Sequence, residues 1–269
     1  MSSSAFLITQ TNPTAGRFVP PGDVRGWDRY AYVENNPLRY ADPSGHWMCG
    51  DEYDPGCAEN AQEVAEYGIM IYESGILGNN PGSNDPEVVI NDFWSTDIHA
   101  SGNLLRFIVG WEGFSDKAYV DSNGYCTIGY GHNCTAEDLS MYANYSLFDF
   151  WDLFLKNLKN AESGVRKAFQ DLDNLYFSER QSYTLGNYVS INQAEFDALV
   201  DFSFNAGVGR VNDLIAGNLV SVNSAGKPIK NIVEFEKALR VDFSGVGGIE
   251  IRRIQEIEIF LHQNYDNSH

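Results

Sequence analysis

Apolar residues recur at helical spacing through the part of the chain that follows residue 101. Their most regular run is Trp151, Leu155, Leu158, Ala161, Val165 and Phe169. Such a run predicts a long amphipathic helix, and Ser146 followed by Asp149 fits a capping box at its start. This helix restricts the chain to folds that have a helical body.

Shorter patterns surround this helix. A helical run that ends at Trp111 is followed by Gly113, a typical C-terminal cap, and residues 117–128 are strand-like around an Asp-Ser-Asn-Gly turn. Asn192 with Glu195 predicts the start of another helix, and a last helix carries Ile254, Ile257 and Leu261. The pattern predicts an α+β fold over residues 102–266, with a small β-hairpin and several helices.

The net charge restricts the partners of this 269-residue chain. It has 18 basic and 37 acidic residues, for a formal charge of −19. So negative a surface repels phosphate backbones and anionic lipid heads, which disfavours nucleic-acid and membrane binding. No apolar run approaches the ~20 residues that a membrane span needs, and the first residues do not resemble a signal peptide.

Residues 48–101 differ from the rest of the chain. No Lys or Arg occurs between Tyr40 and Arg106, whereas twelve carboxylates occur from Asp42 to Asp97, and Ser74–Glu87 is rich in Gly, Asn, Pro and Ser. Like charges and breaker residues predict an acidic linker. The alternative is a short packed helix, whose apolar residues would be Val64, Tyr67, Ile69, Met70, Tyr72 and Ile76.

The densest group of reactive side chains lies in residues 111–134. Glu112 follows an apolar helix and stands beside aromatic residues, and partial burial of that kind disfavours the ionised form of a carboxyl group, as a general acid needs. Asp121 belongs to a polar turn that favours its ionised form, and the Thr127 hydroxyl follows on the next strand. Two carboxyls in unlike environments suit the acid/base chemistry of glycoside hydrolysis.

A motif is formed by Glu112, Asp121 and Thr127, followed directly by Ile-Gly-Tyr-Gly-His132. This motif resembles the active-site signature of phage-type lysozymes, glycoside hydrolase family 24. Residues 191–211 and 248–260 are similar to two further blocks of that family, in the same order. The resemblance implies a two-lobed lysozyme-like domain and a muramidase that cleaves the linkage between N-acetylmuramic acid and N-acetylglucosamine. It implies no cofactor and no metal.

The resemblance also implies roles for individual residues. Glu112 is the general acid, and Asp121 and Thr127 position and activate the attacking water. Inversion at the anomeric carbon requires the two carboxyls to lie about 6.5–9.5 Å apart. The residues implied as substrate contacts are Asn205, Gly129 and Tyr130, and either Arg252 or Arg253 orients the acid. Residues 170–190 depart from the family as an apparent added loop, which either narrows the cleft or is inert.

Several roles are possible for the side chains of His132, Cys126 and Cys134. They supply three potential zinc ligands, one fewer than a structural zinc site uses, and a nuclease role for His132 is opposed by the charge. We expect His132 to hydrogen-bond a carboxylate and to fix the hairpin to the helical lobe. For Cys126 and Cys134 a disulfide is preferred to free thiols or a metal.

The N-terminal residues resemble a second family. Arg29–Pro37 and the Tyr-Ala-Asp-Pro-Ser-Gly sequence that ends at Gly45 look like the end of an RHS/YD-repeat core domain. The resemblance covers about residues 16–47, within a predicted core fragment over residues 1–47. It implies a β-shell that carries a C-terminal toxin, with self-cleavage after Gly45 in which Asp42 takes part. Cys49 and Cys57 would form a second disulfide, as suits an exported protein.

These features lead to one principal hypothesis. The chain is a muramidase toxin that is secreted or delivered to the cell wall or periplasm of a target cell, with peptidoglycan glycan strands as substrate. An RHS shell and a cognate immunity protein would be its partners. The alternatives are a non-catalytic peptidoglycan-binding module and a free-standing phage endolysin.

Overall fold

The computed structural model describes residues 61–75, 82–86, 89–90, 98–120, 126–135, 139–177, 184–243 and 250–266. Asp121, the fragment predicted over residues 1–47 with its Asp42 and Gly45, and the predicted Cys49–Cys57 pair lie outside these residues. The predictions that concern them remain predictions.

The described elements form an α+β fold, as the sequence predicts. The helices are α1 (Ala61–Ser74), α2 (Gly102–Glu112), α3 (Leu139–Tyr142), α4 (Leu147–Phe177), α5 (Gln193–Ala206), α6 (Val208–Leu214), α7 (Ile232–Lys237) and α8 (Glu250–His262). Single π-helical turns, Ile215–Leu219 and Ala238–Asp242, continue α6 and α7, and Leu185–Asn187 forms a 3-10 turn.

The strands are short and antiparallel. β2 (Ser115–Val120), β3 (Cys126–Gly129) and β4 (His132–Cys134) form a three-stranded sheet in that order. β1 (Val89–Ile90) pairs with β5 (Ile191–Asn192), and β6 (Val220–Val222) pairs with β7 (Pro228–Lys230). The three-stranded sheet contains the predicted hairpin.

The long helix α4 begins as predicted. The backbone N–H of Ser146 donates to Asp149 Oδ2 at 2.8 Å, and the N–H of Asp149 donates to Ser146 Oγ at 3.3 Å, which completes the capping box. The residues of the predicted stripe are buried, with Leu155 half-buried. α4 packs against α1, α5 and α6 and so passes through the middle of the described body.

Helix α5 is buried on all sides. The predicted Asn192–Glu195 capping box is present, and every residue from 193 to 203 is buried. A helix with no solvent-facing side must pair its polar groups inside the protein. The Asp197 carboxylate accepts hydrogen bonds from the backbone and hydroxyl of Ser101, from Gln193 and from the Tyr265 hydroxyl.

The linker interpretation is wrong for residues 61–74. They form α1, whose Ala65, Ile69 and Tyr72 are buried in the main hydrophobic core. The Tyr72 hydroxyl also donates to the carbonyl of Ala100 at 2.9 Å. The packed helix that the sequence offered as the alternative is therefore present, because the helical spacing of its apolar residues outweighs the acidic surroundings.

The cysteine pair of the hairpin is a disulfide. Cys126 and Cys134 are directly opposite each other in β3 and β4, with their Cα atoms 5.0 Å apart, and their sulfurs are bonded. This confirms the preferred pairing. A zinc site that uses these two thiols is excluded, since a disulfide sulfur does not act as a thiolate ligand.

The described part of residues 170–190 is a helix end and a packed turn and not a loop, whereas the prediction that this stretch is an addition to the family stays a prediction. α4 continues to Phe177, whose ring stacks on that of Tyr188 with centroids 5.4 Å apart. Leu172, Leu185 and Val189 are buried in the main core. Apolar side chains spaced along this stretch tie it to the helical body.

The last helix follows its predicted pattern in part. In α8, Ile257 is buried and Leu261 is half-buried, whereas 39% of Ile254 is exposed. Across the described residues, no helix combines the length and the apolar character that crossing a bilayer demands.

Candidate active site

Glu112 is the last residue of α2. Gly113 ends the helix with a φ of +60° and donates its N–H to the Val109 carbonyl. The helix is anchored at its other end by the Ser101 cap and by buried leucines, so the position of Glu112 is fixed from the core outward. Its side chain is 18% exposed and thus lies at the edge of the core.

Arg252 of α8 holds the Glu112 carboxylate. Its Nη1 donates to Glu112 Oε1 at 2.5 Å, while Nε and Nη2 donate to the two carboxylate oxygens of Asp201 at 2.9 and 2.6 Å. Burial opposes the charge of Arg252, but the carboxylates of Asp201 and Glu112 outweigh it and raise the pKa of the guanidinium. Of the two arginines that the sequence left open, Arg252 is the one in contact with Glu112.

Gly131 provides the space for the Glu112 carboxyl group. Its φ is +74°, in the region that favours glycine, and a Cβ atom at this position would overlap the carboxylate of Glu112. The second glycine of the Gly-Tyr-Gly-His sequence therefore has a steric function beside the acid. Sequence reasoning missed it, although its place in the motif was the available signal.

The predicted substrate contacts at Gly129 and Tyr130 are not supported by the structure. Tyr130 is 2% exposed, its hydroxyl donates to the carbonyl of Ala61 at 3.0 Å, and its ring meets that of Trp151 edge-on. Gly129 is buried with a φ of +63°, and a Cβ there would lie 3.0 Å from Phe150. Both residues serve the packing of the hairpin against α4, because their side-chain positions point into the core.

Thr127 lies in the middle strand of the sheet. It is 6% exposed, with Tyr119 and Asn133 as its direct neighbours on β2 and β4. Asp121 follows β2 in sequence but lies outside the described residues. The separation of the two carboxyls, which would distinguish inversion from retention, therefore stays a prediction.

Arg253 points away from Glu112 and binds the predicted substrate contact Asn205. Its Nη2 donates to Asn205 Oδ1 at 2.5 Å, and Asn205 is half-buried. The same nitrogen lies 2.9 Å from Glu256 Oε1 without forming a hydrogen bond, and the guanidinium covers the Phe202 ring. Burial raises the pKa of Glu256 well above its usual range, so its carboxyl group favours the neutral form.

A family model for phage lysozyme matches residues 109–256. The chain belongs to the phage lysozyme family. The matched range begins inside α2 and ends at Glu256, so it contains Glu112, Thr127 and both arginines but not α1.

Two curated relatives are named endolysin. The protein of Bacillus phage PZA is 27% identical over 158 residues, which is 58% of this chain and 52% of the relative. That of Bacillus phage B103 is 28% identical over 159 residues, with the same two shares. The chain therefore spans about half the length of these relatives.

Among solved structures, the active form of the P1 phage endolysin Lyz aligns with 75% of this chain and 97% of that chain. The identity is 19% and the TM-score is 0.41. Membership of the phage lysozyme family thus rests on the match to the family model.

In this member of the phage lysozyme family, His132 connects the hairpin to the helices. Its Nδ1 meets the side-chain amide of Asn157 on α4, and its Nε2 lies 2.9 Å from the Tyr142 hydroxyl on α3. The predicted link to the helical lobe is confirmed, with an amide and a phenol making these two contacts, while the predicted contact with a carboxylate stays a prediction.

Asp201 and Gln255 were also missed by sequence reasoning. Asp201 is fully buried and binds Arg252, and Gln255 Oε1 accepts from Trp111 Nε1 at 2.5 Å. The signal for Asp201 was a charged residue in the apolar stretch Ala198–Phe204 of this helix, because such a charge needs a buried partner. The described residues include no cluster of three or more potential metal ligands.

Proposed function

We propose that this chain is a muramidase that hydrolyses the glycan strands of peptidoglycan with inversion. The observation that carries the proposal is the Glu112 carboxyl group. Arg252 binds its Oε1 and leaves Oε2 beside Gly131 of the hairpin, where it can carry a proton to a glycosidic oxygen. Membership of the phage lysozyme family and the two endolysin relatives support the same function.

In this mechanism, residues of the hairpin hold and activate the attacking water. Asp121, as a carboxylate, accepts a proton from the water that attacks the anomeric carbon, and the Thr127 hydroxyl orients that water. Glu112 protonates the leaving oxygen in the same step. Arg252 positions Glu112, while Asn205, held by Arg253, contacts the sugar chain.

The test is product analysis of digested sacculi with the full chain. We expect wild type to release new reducing ends at N-acetylmuramic acid, and Glu112→Gln to lower the rate at least about a hundredfold. Asp116→Asn is the matched control, since it removes an exposed carboxyl from the same hairpin and should leave the rate unchanged. Full activity of Glu112→Gln, or anhydro-sugar ends from wild type, would contradict the proposal.

The same experiment distinguishes a muramidase from a binding module that does not cleave its substrate. Such a protein would sediment with sacculi and release no reducing ends. The Arg252–Glu112 pair favours an enzyme, because a partly exposed carboxyl group that a buried arginine holds in place is suited to proton transfer.

Two biological settings fit a muramidase. The resemblance of residues 29–45 to the end of an RHS core favours a toxin domain, with a carrier fragment over 1–47 and an enzyme body whose predicted range is 102–266. The two phage relatives favour a free-standing endolysin. An upstream repeat gene with a downstream immunity gene would support the toxin and its delivery to a target cell wall, whereas phage lysis genes on both sides would support the endolysin.

A further inference from the structure

Glu256 is a buried carboxyl group that the proposed mechanism does not use. It lies in α8, one turn after Arg252, so the two side chains share one side of that helix. Its carboxyl group is within hydrogen-bond reach of that of Asp201, which binds Arg252 through both of its oxygens. Through Arg252 this pair of carboxyl groups is connected to Glu112.

The charges of this cluster do not balance when every group is ionised. Three carboxyl groups, those of Glu112, Asp201 and Glu256, are paired with two guanidinium groups, those of Arg252 and Arg253. An uncompensated charge in a protein core is costly, and a buried carboxyl group usually avoids it by taking up a proton. One proton makes the cluster neutral.

The hydrogen bonds indicate which carboxyl group takes up this proton. Asp201 accepts two hydrogen bonds and Glu112 accepts one, all from Arg252, and such bonds favour the ionised form. Neither oxygen of Glu256 accepts a hydrogen bond from a described residue, although Arg253 lies 2.9 Å away. Burial raises the pKa of Glu256 well above its usual range, against the opposing charges of Arg253 and Arg252 on the same helix. The Asp201 carboxylate on α5 acts in the same direction as burial.

We propose that Glu256 is a neutral carboxylic acid and a positioning residue for the general acid Glu112. The Glu256 hydroxyl donates a hydrogen bond to a carboxylate oxygen of Asp201, which stays ionised. Asp201 thereby keeps the orientation in which Arg252 presents its Nη1 to Glu112. The proposal rests on the proposed function, because it concerns the acid of that reaction.

The proton is detected by infrared spectroscopy of the full chain, because a protonated carboxyl group has a carbonyl stretch that the ionised group lacks. We expect wild type at neutral pH to show such a band, which Glu256→Gln lacks. Glu250→Gln is the matched control, since it removes an exposed carboxyl group from the same helix and should leave the band unchanged. Identical spectra of wild type and Glu256→Gln in this region would overturn the proposal. This measurement needs no turnover, so it decides the state of Glu256 even if wild type releases no reducing ends, an outcome that would remove only the proposed function.

The positioning role is tested by kcat and KM of full-chain variants on sacculi. Glu256→Gln keeps the size, the neutral charge and an N–H donor, so we expect a kcat within about twofold of wild type. Glu256→Leu removes the donor at similar volume. We expect its kcat to fall at least about fivefold with KM within about twofold, because no substrate contact changes. Equal kcat in wild type and Glu256→Leu would overturn the positioning role.

Thermal unfolding midpoints separate this role from a purely structural one. A purely structural role would lower the midpoint of Glu256→Leu and leave the kcat of the folded protein unchanged. Glu256→Gln should unfold within about 3 °C of wild type. A midpoint about 10 °C lower would indicate an ionised Glu256 that pairs with Arg253, and would overturn the proposal. The infrared band and the midpoint of Glu256→Gln keep the proposal testable if Glu256→Leu fails to fold.

Discussion

The Glu112 carboxyl group is held from two sides by residues that are far apart in sequence. Arg252 donates to Oε1, and Gly131 leaves the space that Oε2 occupies. A general acid must keep its proton within hydrogen-bond reach of the glycosidic oxygen, so a displacement of its carboxyl group by about 1 Å lowers the rate of the reaction. Substitutions of Arg252 or Gly131 should therefore lower the turnover rate by more than the accompanying loss of stability would explain.

Gly131→Ala should lower kcat at least about tenfold, because the added methyl group overlaps the Glu112 carboxylate and displaces it. Gly226→Ala is the matched control. Its φ is +70°, but no atom lies within 4 Å of the added methyl group. Both variants lose about 1–2 kcal/mol of stability from the backbone conformation. Equal activity in the two variants would show that the contact with Glu112 is unimportant.

Arg252→Lys should lower both activity and stability. A lysine ammonium cannot replace the planar fork that binds Asp201 at two atoms and Glu112 at a third. We expect a loss of about 2–4 kcal/mol in the free energy of urea unfolding. Arg240→Lys, which changes an exposed pair with Glu236, should stay within about 0.5 kcal/mol of wild type.

The sequence predicts which types of residue form the site but not the directions in which their side chains point. Arg252 and Arg253 are adjacent, so they project about 100° apart on the helix, and the rotation of α8 in the core decides which one meets Glu112. Tyr130 shows the same limit. Its place within the Gly-Tyr-Gly-His motif suggested a contact with substrate, while the turn at Gly129 directs its ring into the core.

At the scale of elements, α1 extends the folded body beyond residues 102–266, the range that the sequence predicts. Ile69 is fully buried, and Arg106 of α2 binds Glu73 of α1 through both carboxylate oxygens. α1 thus packs on the helix that ends at Glu112. The phage lysozyme match starts at residue 109, so α1 lies outside the matched range.

Ile69→Ala should destabilise the full chain by about 2–5 kcal/mol, because it removes a buried side chain and leaves a cavity. Met70→Ala, at the next position with 52% exposure, should change stability by no more than about 0.5 kcal/mol. The measurement is the midpoint of thermal or urea unfolding. If both variants unfold like wild type, α1 contributes nothing to the core.

The start signals of α4 and α5 were readable because a capping box is a local contact over four residues. Ser146 with Asp149 and Asn192 with Glu195 needed no tertiary information. The packing of α1 depends on Trp151, a distant residue whose ring lies against Gly68. An acidic segment that is rich in breakers reads as a linker unless such a long-range partner is known, so local composition was misleading there.

For the whole molecule, Asp197 joins three distant parts of the chain. It binds Ser101 at the start of α2 and Tyr265 after the end of α8 from a buried position in α5. Burial raises the pKa of Asp197 to about 6, against the opposing effect of its hydrogen bonds. A carboxyl group with a raised pKa in the folded state favours folding when it is protonated.

The contribution of Asp197 to stability should therefore fall as pH rises from about 4 to about 7. The contribution of Asp197 is fully present below its unfolded pKa near 3.9 and is lost as pH passes about 6, a change of roughly 3 kcal/mol at most. Glu256, whose pKa burial also raises, acts in the same direction. Urea unfolding of Asp197→Asn should show a flatter pH profile, whereas the exposed control Asp213→Asn should follow wild type.

The formal charge of −19 affects the approach to a polyanionic wall. Raising ionic strength from about 0.01 to about 0.15 M shortens the screening length from about 30 to about 8 Å, which weakens the repulsion. We expect the rate of sacculus digestion to increase over this range. Uncharged chitooligosaccharides are the control substrate, and a rate on sacculi that falls or stays flat with salt would contradict the prediction.

The place of α1 in the core restricts where this chain can be divided or joined to another protein. A junction at residue 101 would separate α2 from the helix that covers it and would leave Ile69 and its neighbours without a partner. A fragment that keeps this core intact must therefore begin before Ala61. The proposed cut after Gly45 would meet that requirement, because it leaves α1 and α2 on the same fragment.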